Sequence, residues 1–133
     1  MKRILIVEDD PHNALLFRRL LERRGGFEVY VTESAEEVIA RAEDGHADLV
    51  IMDVSLANTH LNGQPVSGID LCLLLKQSPR SASLPVVLAT AHAMRGDAET
   101  LVQQSGADGY VAKPILDHRA FLDHILSFLK EAA

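Results

Sequence analysis

Four short apolar runs in this chain each give way to residues that can do chemistry together. Ile4–Val7 is followed by Glu8, Asp9 and Asp10, and Leu49–Met52 by Asp53. Val86–Ala89 is followed by Thr90, and Tyr110–Ala112 by Lys113 and Pro114. Carboxylates brought close together repel, and they remain ionised only if a cation sits among them. Hard oxygen donors that leave positions open for water and phosphate suit Mg²⁺. Beside a divalent cation a carboxylate can attack phosphorus, because the metal screens anion–anion repulsion and stabilises charge on the transferring oxygens. A lysine and a hydroxyl would complete a cradle for in-line phosphoryl transfer to an aspartate, a reaction that depends on positioning and electrostatics.

Bringing these residues together requires a particular scaffold. The apolar runs do not alternate with polar residues, as suits strands buried on both faces, and shorter runs occur at Val29–Val31 and Tyr110–Ala112. Helical signals lie between them: Pro11 with Ala14, Leu15, Leu20 and Leu21, then Ser34 and Glu37 as a capping box ahead of Val38, Ile39 and Ala42, with Gly45 as the stop. A third helix reads from about Gly68 to Pro79 and a fourth from about Met94 to Gly106, and Asp117 caps a fifth that carries Phe121, Ile125 and Phe128 on one face. Five strand–helix alternations predict an α/β fold: a doubly wound five-stranded parallel sheet with two helices on one face and three on the other. In such sheets the ligand crevice lies outside the carboxyl ends of the strands, where all the polar residues above would converge. No glycine-rich phosphate loop follows the first strand, which argues against the nucleotide- and flavin-binding versions of this architecture.

Composition narrows the function. A length of 133 residues suits one domain spanning 1–133, with no room for an output domain. The net charge of −6 has the wrong sign for nucleic-acid binding. Cys72 is the one cysteine, and the N-terminal apolar run is too short for a signal peptide or membrane helix, so a cytoplasmic protein without membrane insertion is expected.

The chain resembles the receiver domain of two-component response regulators. The resemblance rests on Ile4–Asp10, Asp48–Asp53, Leu84–Ala91 and Gly106–Pro114, in order and at family spacing. It implies the flavodoxin-like strand order 2-1-3-4-5. It also implies Asp53 as phosphoacceptor, Asp9 as a direct Mg²⁺ ligand, Glu8 as its water-mediated partner and Ser55 as the donor of a backbone carbonyl to the metal. Thr90 would hydrogen-bond the phosphoryl group, Lys113 would pair with its oxygens through a chain that turns at a cis Lys113–Pro114 bond, and Tyr110 would be the aromatic switch. The implied phosphodonor is a histidine kinase or histidine phosphotransfer protein. The implied output is a protein contact on the face built from the fourth helix, fifth strand and fifth helix.

Two features depart from the family pattern. Ala57 stands in the region where a proline is usual, and Gly68 follows Asp53 by fifteen residues, about twice the usual distance. The segment from about Ala57 to Val66 is therefore an insertion, with no helical or strand pattern between Val54 and Ser67 but with a turn at Asn62-Gly63. It reads as a partner-selecting or phosphate-shielding flap, or as a passive surface loop with few core contacts.

Other readings stay open at this point. A small Mg²⁺-dependent phosphatase or phosphotransferase working through an aspartyl-phosphate is the alternative, and an inert scaffold is a third possibility. Glu8-Asp9-Asp10 taken alone could be a solvated turn, Thr90 a strand residue and Tyr110 a core-edge aromatic. His92 falls near the rim of the site, His118 and His124 lack the spacing of a helical zinc pair, and Cys72 among leucines reads as core.

Overall fold

The structure, a computed structural model, describes residues 2–56, 59–91 and 97–130. Ala57, His92 and the expected helix start at Met94 lie outside the described residues. The elements are β1 (Arg3–Val7), α1 (Pro11–Arg19), β2 (Glu28–Thr32), α2 (Ala35–Glu43), β3 (Leu49–Asp53), β4 (His60–Leu61), β5 (Gln64–Pro65), α3 (Gly68–Gln77), β6 (Val86–Thr90), α4 (Asp97–Ser105), β7 (Gly109–Ala112) and α5 (His118–Lys130). Beyond α1 the chain continues through a π-helical segment, Leu20–Arg24.

Five strands pair in parallel in the order β2-β1-β3-β6-β7, the arrangement expected from the sequence. Every residue of β3 and β6 is buried, which explains their unbroken apolar runs. One core layer joins Ile4, Ile6 and Ile51 to Phe17 and Leu21 and to Phe121 and Ile125 of α5. The rings of Phe17 and Phe121 stack at 5.7 Å, tying α1 to α5. The opposite layer sets Leu5, Val50 and Leu88 against Val38 of α2 and Leu71 and Leu75 of α3, with Leu101 of α4 packed alongside. Two helices on one face and three on the other follow.

The helix starts are built largely as expected. Asp10 accepts from the His12 N–H, Ser34 from the Glu37 N–H and Asp117 from the Ala120 N–H. The predicted capping box at Ser34 is only half made, because the Ser34 N–H donates to the Thr32 hydroxyl oxygen at 3.0 Å and the Glu37 carboxylate accepts the Tyr30 hydroxyl at 2.6 Å. A complete box forms at Ser67 and Asp70.

The insertion after Asp53 is more ordered than its sequence indicates. β4 and β5 pair antiparallel around Asn62 and Gly63, whose φ angles of 54° and 79° suit the tight two-residue turn that Asn-Gly favours. Strands of two residues are too short to show alternation, so the sequence revealed the turn and hid the hairpin. The expectation of few core contacts is also corrected: Leu56 is buried, and Leu61 and Val66 pack against the layer that contains α2 and α3.

Candidate functional site

Each candidate side chain leaves the sheet at the carboxyl end of a strand, and pairing fixes their relative positions. Asp53 ends β3 opposite Ala89, and Thr90 ends β6 opposite Ala112. The Glu8 N–H donates to the Thr32 carbonyl, and the Lys113 N–H donates to the Thr90 carbonyl at 2.9 Å. The latter bond carries Lys113 back across the site, immediately before the cis Lys113–Pro114 bond. Lys113 Nζ then reaches Asp53 Oδ1 at 2.8 Å and Glu8 Oε1 at 3.2 Å. The Ser55 N–H donates to the same Asp53 oxygen at 3.3 Å.

Glu8, Asp9 and Asp53 each offer an oxygen within 4.8 Å of the others. Asp53 is 3% exposed and Glu8 4%, while Asp9 is half-buried and opens the site to solvent. Asp10, the third acid of the run, is used as the α1 cap. Among the described residues, the Lys113 ammonium pairs with two of these three carboxyl groups, those of Glu8 and Asp53. Burial, and next the bond to Asp53 and its charge, push the Glu8 carboxyl up to about 7 despite the opposing pull of Lys113. Burial by itself would lower the Lys113 ammonium, but the hydrogen bond and charge of Asp53, reinforced by Glu8, raise it above its ordinary value. The donor set therefore fits a hard divalent cation: oxygen ligands only, partly buried, carrying negative charge that Lys113 alone does not neutralise.

Around this cluster lie two further features. A groove of about 520 Å³ runs from Glu8 and Asp9 past Ala14 and the exposed Leu15 to Val31 and Glu33. Tyr110 lies opposite Leu88 in β7, half-buried, on the same sheet face as Thr90. Its hydroxyl donates to Glu99 Oε1 at 3.4 Å, and its carbonyl lies 3.1 Å from His124 Nε2. Sequence reasoning singled out neither Glu99 nor His124 as a neighbour of Tyr110, since both contacts span separate elements.

A sheet of this order ending in an acid cluster faced by a lysine defines the receiver class. The family model for the response regulator receiver domain matches residues 4–126, and the chain belongs to that family. It is 37% identical over 131 residues to the polar-differentiation response regulator DivK of Brucella ovis, a match that covers 98% of both chains. A CheY-like response regulator receiver domain protein from Methanospirillum hungatei JF-1 is similar in structure, with a TM-score of 0.78 and 27% identity over 98% of this chain and 95% of that one. The receiver domain of the sensor histidine kinase PA1611 from Pseudomonas aeruginosa PAO1, whose structure has a magnesium ion coordinated in the active-site cleft, shares the fold at a TM-score of 0.80 and 24% identity, over 97% of this chain and 98% of that one. The chain is thus a phosphorylation-dependent signalling module of two-component systems, whose partners include histidine kinases. The alternative reading as a small phosphatase or phosphotransferase gains no support. Among the described residues no helix is long and apolar enough to cross a membrane.

Proposed function

We propose that Asp53 accepts a phosphoryl group from a phosphohistidine on a histidine kinase or histidine phosphotransfer protein. The observation that carries this reading is the position of Asp53: at the end of the central strand, buried, 2.8 Å from Lys113 Nζ and grouped with Glu8 and Asp9. In the transfer an Asp53 oxygen forms a bond to phosphorus as the phosphorus–nitrogen bond breaks, and the imidazole leaves and takes up a proton. Lys113 orients the attacking carboxylate and then pairs with the phosphoryl oxygens, while the hydroxyl of Thr90, buried at the end of the neighbouring β6, donates to one. Asp9, Asp53 and the Ser55 carbonyl would hold Mg²⁺, with Glu8 acting through water. When bound, the ion supplies charge neutralisation between the carboxylate and the incoming phosphoryl group.

Catalysis by the chain is limited in this reading to its own phosphorylation and dephosphorylation. The output is a protein contact on the α4–β7–α5 face, into which Thr90 and Tyr110 both lead, with Tyr110 as the element that changes state. A cytoplasmic location accords with Cys72, a buried free thiol. Phosphoramidate with Mg²⁺ should label the wild-type chain and leave Asp53→Asn unlabelled. Equal labelling of the variant would overturn the assignment.

A further inference from the structure

We propose that the β4–β5 hairpin is a fixed docking ledge that selects the protein phosphodonor, because it is pinned to the wall of the groove leading to the acid cluster. The inference rests on the reading of Asp53 as acceptor.

Three anchors hold the hairpin. Thr59, at its base, is 3% exposed, and its hydroxyl donates at 2.9 Å to the carbonyl of Glu33 in the loop between β2 and α2. The Thr59 carbonyl accepts the Val66 N–H, closing the base of the hairpin. Leu61 and Val66 lie on the core layer that also takes in Ile39 of α2. These contacts carry the hairpin sideways, toward α2 and the β2–α2 loop, so it extends the surface beside the cleft as a ledge. They also make it rigid: a hydroxyl buried against a carbonyl and two apolar side chains on the core hold its position.

Its position decides what it meets. Glu33, which Thr59 holds, lines the groove together with Glu8, Asp9, Leu15 and Val31. Asp53 lies below the surface at the end of the central strand, so a phosphohistidine carried on a protein reaches it with the surrounding protein surface against the rim. A specific complex covers about 800 Å² on each partner. A donor seated over the groove extends past Glu33 onto the hairpin, whose His60, Asn62, Gln64 and Pro65 are exposed. A small-molecule donor touches none of them. The ledge therefore acts on which protein donor fits, leaving the phosphoryl chemistry as it is.

The test compares two donor classes on one variant pair. His60→Glu combined with Gln64→Glu changes exposed side chains only, and Thr59→Val removes the pin while keeping the side-chain shape. Transfer is measured from a panel of autophosphorylated histidine kinases, alongside labelling by phosphoramidate with Mg²⁺ and the lifetime of the label. The expected result is a several-fold change in transfer rate and a changed ranking of kinases, because charges on the rim of an interface govern association. Phosphoramidate labelling and label lifetime should match wild type. Unchanged kinase rates and ranking would overturn the proposal, as would a parallel change with both donor classes. If no donor labels the wild-type chain, it is the Asp53 reading that fails.

Discussion

Two lysine–aspartate pairs of equal length sit at opposite ends of the same sheet and have opposite consequences. Lys76 Nζ lies 2.8 Å from Asp108 Oδ2, as Lys113 Nζ lies 2.8 Å from Asp53 Oδ1. At the first pair Lys76 also donates to the carbonyls of Ala82 and Leu84, and Asp108 accepts the Val86 N–H, so among the described residues one positive and one negative charge are joined by neutral partners. This latch ties the end of α3 to the starts of β6 and β7. At the second pair one ammonium is shared by Asp53 and Glu8, with Asp9 close by. A balanced pair stabilises; a pair with surplus negative charge is primed to take a cation. Contact distance alone does not separate structure from function, whereas the local sum of charges does.

The largest effect should come from breaking the latch. Asp108→Ala leaves the Val86 N–H at a fully buried residue without its acceptor and should cost about 1–3 kcal/mol of folding stability by urea denaturation. Phosphoramidate labelling of that variant should persist. Loss of labelling with intact stability would reverse the roles assigned to the two ends of the sheet.

The second prediction uses pH. Folded Glu8 keeps its proton up to about 7, while an unfolded chain releases it near 4.5. Between these values the folded state binds more protons, so the stability of the metal-free protein should fall as pH rises across that window. Excess Mg²⁺, which favours the ionised form, should flatten the slope at its upper end, and Glu8→Gln should largely remove it. Denaturation midpoints at pH 5 and pH 8, with and without Mg²⁺, check this.

A smaller difference should separate the two acids at the mouth of the site. Asp9→Ala should weaken Mg²⁺ binding more than Glu8→Gln does, because direct carboxylate coordination contributes more than contact through water. Equal losses in a titration would show that the two acids share one role.

Much of this arrangement was legible in the sequence because it lies at strand ends. An unbroken apolar run predicts a buried strand, and the first polar residue after it emerges at the strand's carboxyl end, where the structure brings Glu8, Asp53 and Lys113 together and ends β6 at Thr90. Three features were not legible, each for a physical reason. The latch joins residues 32 apart, and nothing local in Lys76 or Asp108 announces it. Besides the Ser34 backbone, the Glu37 carboxylate has the Tyr30 hydroxyl as a competing partner, and only the fold brings that hydroxyl within reach. Thr59 looks like any loop threonine until Glu33 is placed beside it.

One contact at the foot of the insertion bears on how such a protein can diversify. A β-carbon added at Gly68 would come within 1.9 Å of the Asp53 carbonyl oxygen, so the first residue of α3 has to lie bare against the backbone of the acceptor. The chain leaves Asp53 and returns to touch it at Gly68, making a closed neck with the hairpin hanging beyond. Lengthening or shortening what hangs there leaves the neck, and the acceptor within it, in place. Glycine at this point holds the acceptor's backbone through a contact that does not depend on how many residues the loop beyond it contains.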